Sequence, residues 1–344
     1  MQIYKEFELK DILWYKIGGT TKYFIEVSCE EELKEAFDYI SQNNISKFFV
    51  VGLGANLLFT DEYFDGAVIR ISSDPQPIII NTQDDFKENS HSDDQDSKHD
   101  IVIKDDLITA FAGVTLDAVI QVAFNNNMIG LEWAGGLPST IGAAIRGNVG
   151  AFGGEISAST VEAKVLRVID RSYNETTLSN ESLSFAYRSS VVKKDKNLVV
   201  VTATFKMKRA SDIELENAKS IYSSNKLFRQ AHHPDPSIYP NTGSTFKNIT
   251  AKDEVDRIMA VWPDIKELVA TKWYGKVAVG YINNRLGFAG YKIGNAQVSP
   301  MHANFILNLG MAKSADVEAI IRTIQKKYNE TFGFIPEPEV EIIT

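Results

Sequence analysis

Residues 50–57 read Val-Val-Gly-Leu-Gly-Ala-Asn-Leu, so that two glycines follow a short apolar run. Glycines after a strand let backbone N–H groups approach a pyrophosphate closely. A Rossmann fingerprint requires a third glycine at position 57 and a helix after the turn, but Leu57 stands there and the apolar run continues. The stretch therefore argues against a nicotinamide Rossmann site, and taken alone it also fits a tight structural turn.

A second loop rich in small residues, Gly-Gly-Leu-Pro-Ser-Thr-Ile-Gly-Ala-Ala, occupies residues 135–144. Pro138 fixes φ, Ser139 and Thr140 offer hydroxyl groups, and Gly142 permits close backbone approach. Further glycines follow at 150, 153 and 154. A helix packed tightly on a sheet would show the same composition. Two such loops in a chain of average glycine content nevertheless favour a dinucleotide cradle over chance.

Hydrophobic periodicity around these loops predicts a mixed chain of strands and helices. The first part forms a small βαβ-like unit, in which Ser28 is a candidate N-cap for the helix at 30–40. The segments at 161–170 and 198–207 are predicted to share one antiparallel sheet. In the last helix, Ala315, Val317, Ile320, Ile321 and Ile324 form the predicted apolar face. Predicted strands lie at 23–27, 47–53, 66–71, 101–113, 161–170, 198–207 and 340–343, and helices at 30–40, 116–125, 211–230, 251–262 and 314–332.

Residues 81–100 differ from the rest of the chain because they are acidic and rich in serine and asparagine. Such a segment buries too little apolar area to order itself. We therefore expect a disordered surface insertion.

Composition narrows the function classes. The 344 residues are 44% hydrophobic and 24% charged, as in a soluble globular protein, and the net charge of −9 argues against non-specific binding of nucleic acid. The single cysteine, Cys29, excludes an intramolecular disulfide, and no Cys/His cluster indicates a metal site. No apolar run is long enough to span a membrane, and residues 1–10 lack a signal-peptide core. These features predict a cytoplasmic protein without membrane or nucleic-acid partners. A monomer is our expectation for its oligomeric state, which the sequence itself does not give.

Several short motifs occur in an order that is specific only when they are taken together. On these motifs the chain resembles the UDP-N-acetylenolpyruvoylglucosamine reductase family, flavoenzymes that make UDP-N-acetylmuramate, over nearly its whole length. The motifs lie at 17–19, 52–58, 130–132, 138–154, 185–190 (Phe-Ala-Tyr-Arg-Ser-Ser), 243–248 (Gly-Ser-Thr-Phe-Lys-Asn), 299–305 (Ser-Pro-Met-His-Ala-Asn-Phe) and 337–340 (Glu-Pro-Glu-Val).

The resemblance implies an α+β fold, with a two-subdomain FAD-binding part of the vanillyl-alcohol-oxidase type and a C-terminal α+β substrate-binding domain. The implied boundaries are 1–75 and 101–212 for the FAD-binding subdomains, 76–100 for the insertion and 213–344 for the substrate domain. FAD is then bound non-covalently and NADPH is the co-substrate. The implied FAD-binding residues are Gly52, Gly54, Ala55, Asn56, Leu57, Pro138, Ser139, Thr140, Gly142 and Gly150.

The family's chemistry implies roles for three further residues. Ser244 matches the proton donor, and a neutral alcohol suffices because a carbanion-like centre is a strong base. Arg188 matches the arginine that binds the substrate carboxylate as its charge grows. Glu339 matches the family's glutamate. Glu337 has the same strand parity, so only the family pattern selects between the two.

Substrate contacts are implied for Asn248 and His302. Members often carry a lysine near the substrate diphosphate two residues before Pro234, where this chain has His232 followed by His233. The chain also departs from the family at Ala55, Ser139 and Ile249, where serine, glycine and proline are usual. Its short interval from Arg188 to Ser244 places it in the branch without a tyrosine-bearing lid.

Two other functions remain open at this stage. The first is another FAD-dependent oxidoreductase of the same fold that acts on a sugar or alcohol. Many such enzymes tether flavin through histidine, but no histidine lies near either glycine loop. The second is a non-enzymatic flavin binder, against which the joint presence of Arg188, Ser244 and Glu339 argues.

Overall fold

The computed structural model describes residues 1–73, 79–81, 100–169 and 172–344, with only the backbone given for 79–81. These residues form two compact units. The first unit comprises Met1–Phe7, Thr21–Leu53 and Asp65–Arg229, and the second comprises Glu8–Thr20, Gly54–Phe64 and Gln230–Thr344.

The strands lie throughout both units. They are β1 (Gln2–Glu8), β2 (Thr20–Val27), β3 (Phe48–Val51), β4 (Leu57–Phe59), β5 (Phe64–Ile71), β6 (Ile79–Asn81), β7 (Ile101–Lys104), β8 (Leu107–Phe111), β9 (Met128–Ile129), β10 (Gly150–Ala151), β11 (Gly154–Glu155), β12 (Thr160–Ile169), β13 (Ser172–Ser179), β14 (Leu198–Lys206), β15 (Lys208–Arg209), β16 (Lys292–Ile293), β17 (Ala296–Val298), β18 (Ile306–Asn308) and β19 (Glu341–Ile343).

Among the described residues the helices are fewer than the strands, and most of them are amphipathic. They are α1 (Glu30–Gln42), α2 (Leu116–Asn125), α3 (Ile141–Gly147), α4 (Val191–Lys194), α5 (Asp212–His232), α6 (Lys252–Val261), α7 (Lys266–Thr271), α8 (Val279–Arg285) and α9 (Ser314–Phe332). Single 3-10 turns occur at Leu9–Asp11, Glu132–Ala134, Ile156–Ala158 and Pro263–Ile265. No helix of the described residues is long and apolar enough to cross a membrane.

The first unit is built on two sheets. One has the strand order β1-β2-β5-β3, with β3 parallel to β5, and the other has the order β13-β12-β14-β8-β7-β6. The sheets and α1, α2 and α3 share one hydrophobic core. In α1, Leu33, Ala36, Phe37 and Ile40 recur at helical spacing and are all buried, so that burial of this stripe holds the helix in place.

The second unit has a core of its own. It contains the parallel pair β4–β19 and the three-stranded sheet β16-β17-β18. The long helix α9 buries Val317, Ile320, Ile321, Ile324 and Tyr328 in this core. Gly333, in the left-handed conformation at φ 75°, ends the helix.

Periodicity predicted most elements well. Helices α2 and α9 have the predicted bounds, and β12 pairs with β14 in an antiparallel sheet as predicted. Other predictions were wrong in detail. The N-cap of α1 is Cys29, whereas Ser28 donates its backbone N–H and hydroxyl to Glu32. Ala315 is exposed instead of lying on the buried face of α9.

The predicted strand at 101–113 is a hairpin of β7 and β8. Its turn contains Asp105 at φ 53°. Glycine is the usual sequence signal for such a turn, and because none is present the sequence did not predict it. The predicted insertion falls mostly outside the described residues. Its boundary at 76 was nevertheless too early, because β6 pairs in parallel with β7, and its boundary at 100 too late, because Asp100 is buried.

The compact units also differ from the predicted domain boundaries. Most of α5, through Arg229, belongs to the first unit, although the predicted boundary at 213 assigned it to the C-terminal domain. The segments 8–20 and 54–64 belong to the second unit. Contacts distant in sequence determine this division, which composition along the chain does not reveal.

Candidate active site

Ser244 of the second unit lies in an extended segment that pairs with the segment containing Glu339. Gly243 precedes it at φ 77°, in the left-handed region that glycine favours. The Glu339 N–H donates to the Thr245 carbonyl at 2.7 Å, and the Lys247 N–H donates to the Glu337 carbonyl at 3.0 Å. Two predicted catalytic residues are thus held on adjacent backbone segments.

The structure separates the two glutamates that strand parity left equivalent. Glu337 is exposed and forms an ion pair with Lys247. Glu339 is half-buried, and its carbonyl accepts a hydrogen bond from Asn56 Nδ2 at 3.2 Å. Glu337 is therefore a surface ion-pair partner, and Glu339 is the less exposed of the two glutamates.

His302 packs among other aromatic rings of the second unit. Its ring lies 4.7 Å from Phe305 and 5.5 Å from His233, between centroids. Burial is the main cause that lowers the pKa of His302, and the nearby charge of His232 acts in the same direction. His302 Nδ1 accepts a hydrogen bond from the Asn304 N–H at 3.3 Å, which requires that nitrogen to be unprotonated. Two predicted substrate residues, His302 and His232, are therefore electrostatic neighbours.

Asn248 is exposed and has a structural role as well. Its Oδ1 accepts a hydrogen bond from the Val279 N–H at 3.2 Å, at the first residue of α8. A substrate contact would have to use its Nδ2 group.

The first glycine loop offers backbone N–H groups. Gly54 has φ 69°, and the amides of Gly54, Ala55 and Asn56 donate no hydrogen bond to any residue that the structure describes. Successive amides around a left-handed residue form a concavity that binds anions. Leu57 already belongs to β4, opposite Glu341. The loop therefore fits a pyrophosphate at Gly54, Ala55 and Asn56.

The second loop, in the first unit, uses its polar groups internally. The Ser139 hydroxyl donates to the Thr140 carbonyl at 2.9 Å, and Thr140 Oγ1 caps α3 by accepting from the Ala143 N–H. The Gly142 N–H donates to the Ala112 carbonyl, also at 2.9 Å, and a Cβ on Gly142 would lie 3.0 Å from the Ala112 Cβ. A tightly packed helix start therefore accounts for these bonded groups, whereas the amides of Ser139 and Thr140 donate to no described residue.

The same unit brings Gly52 against the second loop. A Cβ on Gly52 would overlap Thr140 Oγ1 and lie 3.1 Å from Thr140 Cγ2. Only glycine permits this approach, so that the end of β3 and the start of α3 meet. Pro138 precedes this contact and restricts the loop backbone.

Arg188 lies in a strained turn of the first unit. It has φ 55°, and Ala186 and Ser189 exchange two backbone hydrogen bonds around it. A non-glycine residue in this region often marks a functional position. Its Nη1 would lie 3.4 Å from a Cβ on Gly150, so this glycine leaves space beside the guanidinium.

Sequence reasoning missed Arg229, near the end of α5. Burial, and to a smaller extent the positive charge of Arg188, lower the pKa of Arg229 to about 10. Its Nε donates to the Gly135 carbonyl at 3.1 Å, and its guanidinium lies 5.1 Å from the Phe152 ring centroid. No carboxylate of the described residues forms an ion pair with Arg229. Two guanidinium groups near each other make this region attractive to an anion.

The predicted residues thus fall into two groups, each described within its own unit. Arg188, Gly52, Pro138, Ser139, Thr140, Gly142 and Gly150 lie in the first unit, and Ser244, Glu339, Asn248, His302, His232, Gly54, Ala55, Asn56 and Leu57 lie in the second. No cluster of histidine, cysteine and acidic residues suited to a metal occurs in the described parts of the chain.

Comparison with known proteins gives two family matches. Residues 235–343 match the C-terminal domain of UDP-N-acetylenolpyruvoylglucosamine reductase, and residues 21–168 match an FAD binding domain. The reductase of Caldicellulosiruptor saccharolyticus is 31% identical over 343 residues, which cover 100% of this chain and 92% of that protein. The reductase of Anoxybacillus flavithermus is 28% identical over 95% of this chain and 90% of its own length.

A solved structure agrees with the fold. The UDP-N-acetylenolpyruvylglucosamine reductase from Thermus caldophilus superimposes with a TM-score of 0.66 at 23% identity, covering 100% of this chain and 98% of that one. At this identity the likeness concerns the fold alone.

Proposed function

Since the chain belongs to the family of UDP-N-acetylenolpyruvoylglucosamine reductases, we propose that Arg188, Ser244 and Glu339 carry out the chemical steps that its own side chains perform. The family reaction is the FAD-dependent, NADPH-driven reduction of UDP-N-acetylglucosamine enolpyruvate to UDP-N-acetylmuramate in peptidoglycan synthesis. The predicted family, α+β fold and FAD cofactor are confirmed. Family membership also favours the reductase over the two other hypotheses.

Bound FAD would supply the redox chemistry, the passage of hydride equivalents from NADPH to the enolpyruvyl group. The open amides of Gly54, Ala55 and Asn56 support a role in holding the FAD pyrophosphate. Gly52 and the loop at 138–142, in the first unit, are the other proposed FAD-binding residues, and close packing supports their shape. Gly150 leaves room beside Arg188.

Ser244 donates the proton that completes the reduction. After hydride reaches one carbon of the enolpyruvyl double bond, charge develops on the neighbouring carbon and its carboxylate. The Ser244 hydroxyl protonates that carbon, since a neutral donor suffices for so strong a base. The single observation that supports this assignment best is the backbone pairing that holds Ser244 beside the Glu339 segment.

Arg188 stabilises the negative charge that appears in this step. A guanidinium forms charge-assisted hydrogen bonds with a carboxylate whose charge grows in the transition state. Glu339, in its acid form, acts with Arg188 on the enolic intermediate, and its half-buried position supports this role.

Asn248, His302 and His232 are the proposed substrate contacts. The charge of His232 acts on His302, which supports a shared location of the two residues toward an anionic diphosphate. A histidine binds phosphate as a cation only while it is protonated. Cytoplasmic action, a monomeric state and the absence of a lid complete the proposal.

The test separates the two half-reactions. We expect Ser244→Ala to bind FAD and to be reduced by NADPH at the parent rate, whereas reoxidation by the enolpyruvyl substrate slows by about 10²-fold or more, as for a lost general acid. Stopped-flow absorbance of the flavin measures both steps. Ser237→Ala, an exposed turn serine of the same unit, is the matched control. Reoxidation of Ser244→Ala at the parent rate would remove Ser244 from the mechanism.

A further inference from the structure

Asn304 is an asparagine of the second unit that is only 3% exposed, and its backbone carbonyl and side-chain amide bond the segment after Ser244. Its backbone carbonyl accepts from the Thr245 N–H at 2.7 Å. Its Oδ1 accepts from the Phe246 N–H at 3.1 Å, and its Nδ2 donates to the Phe246 carbonyl at 2.9 Å. The side-chain amide thereby makes the two hydrogen bonds that a peptide group of a neighbouring strand would otherwise make.

The opposite edge of this segment is bonded to the glutamate segment. The Thr245 carbonyl accepts from the Glu339 N–H at 2.7 Å. Thr245 and Phe246 are both buried, so their backbone groups depend on these protein partners instead of water. Asn304 is therefore the partner on one side of a short strand whose other side carries Glu339.

Asn304 is itself held by a rigid corner. Its N–H donates to His302 Nδ1 at 3.3 Å, and the Ser299 hydroxyl accepts from the His302 N–H, also at 3.3 Å. Asn283, fully buried in α8, donates from Nδ2 to the Ala303 carbonyl at 2.9 Å. Packing and hydrogen bonds therefore hold Asn304 and its neighbours His302 and Ala303 in place, as expected for a group that supports a reactive site.

We propose that Asn304 is a positioning residue that sets the register of Ser244 against Glu339. This inference rests on the proposed proton transfer by Ser244. Asn304 acts through the backbone of Thr245 and Phe246, without touching substrate. Loss of its side chain leaves two buried backbone groups without partners, and the strand then shifts to regain them. Small misplacements of a reacting group cost rate steeply, about 10²-fold for 1 Å.

Asn304→Ala tests the proposal in the flavin-loaded protein. We expect NADPH to reduce the flavin at the parent rate, because this step does not use Ser244. Reoxidation by the enolpyruvyl substrate should slow by about 10- to 10²-fold with little change in the substrate concentration that gives half the maximal rate. The solvent deuterium isotope effect on reoxidation should increase, since proton delivery becomes slower.

Asn308 provides a matched control. It is also 3% exposed and lies in the second unit, but its side chain bonds the backbone of Tyr15, Gly310 and Ala312. Asn308→Ala should lose similar stability in urea denaturation and keep reoxidation within about twofold of the parent rate. Equal slowing in both variants would mean general destabilisation and would overturn the proposal.

Asn304→Asp adds a second measurement, the pH dependence of reoxidation, which would not change if Asn304 had only a structural role. The ionised aspartate cannot donate to the Phe246 carbonyl, whereas its protonated form supplies both an acceptor and a donor. Burial raises the pKa of a carboxyl group, so the acid form is accessible under mild conditions. Reoxidation, relative to the parent at each pH, should therefore recover as pH falls. A flat ratio would contradict the proposal, even if Asn304→Ala does not fold.

The outcomes also distinguish this proposal from the one on which it rests. If Ser244→Ala reoxidises at the parent rate, the role of Ser244 itself is wrong. If Ser244→Ala is slow but Asn304→Ala is folded and reoxidises like the parent, Ser244 keeps its role and only the positioning by Asn304 fails.

Discussion

The two glycine-rich loops look alike in sequence but use their backbone groups differently. In the loop around Gly54, the amides of Gly54, Ala55 and Asn56 donate to no described residue. In the loop at 139–142, both hydroxyls and the amides of Ile141 and Gly142 are bonded within the fold, whereas the amides of Ser139 and Thr140 donate to no described residue. Glycine and hydroxyl content therefore does not identify an anion site. The hydrogen-bond partners of each amide do.

This difference predicts that substitutions at the open amides of Gly54, Ala55 and Asn56 change flavin affinity and that loss of the bonded Ser139 hydroxyl changes mainly stability. Gly52 lies where β3 meets Thr140. It should show the largest effect, since any side chain there overlaps Thr140.

Gly52→Ala should lower the free energy of unfolding by about 1–3 kcal/mol, the usual cost of overpacking, and should reduce bound FAD. Urea denaturation and the ratio of flavin to protein absorbance measure the two effects. The added Cβ would overlap Thr140 Oγ1, so Thr140→Ala, which removes that atom, should recover part of the loss in the double variant. Strictly additive losses would mean that the contact between these residues is not the cause.

Ser139→Ala should have a smaller effect that is confined to stability. Its hydroxyl is buried and donates to the Thr140 carbonyl, so that its removal should cost about 1 kcal/mol. Flavin affinity should weaken by less than about threefold, or about 0.7 kcal/mol. A titration of the flavin-free protein with FAD measures this affinity. A tenfold loss would show that the hydroxyl contacts the cofactor directly, and the comparison of the loops would then fail.

Sequence reasoning succeeded where a single local pattern determines the outcome. The stripes of α1 and α9 repeat at helical spacing, and burial of those stripes follows. It failed where the outcome depends on partners far along the chain. Glu337 and Glu339 are equivalent by strand parity, and only the ion pair with Lys247 separates them.

Arg229 and Asn304 show the same limit within the candidate site. In the sequence Arg229 looks like any other helix residue. In the folded chain Gly135, Phe152 and Arg188 are its neighbours. Asn304 lies inside a motif that sequence analysis used to identify the family, yet its bonds to Phe246 join residues 58 positions apart. Local spacing carries no signal for such contacts.

Ala55→Ser should act in the opposite direction, by strengthening FAD binding. The family usually has serine at this position, and a hydroxyl beside the open amides of Gly54 and Asn56 would add one donor to the anion. We expect FAD to bind about three- to tenfold more tightly, or about 0.7–1.4 kcal/mol, with the free energy of unfolding of the flavin-free protein unchanged.

Gly142→Ser is the matched substitution in the second loop. It should bring no gain in affinity, because its amide is already bonded to the Ala112 carbonyl and a Cβ would press against Ala112. Tighter binding in both variants would mean that the second loop also faces the phosphates. Tighter binding in neither would place the pyrophosphate away from the amides of Gly54, Ala55 and Asn56.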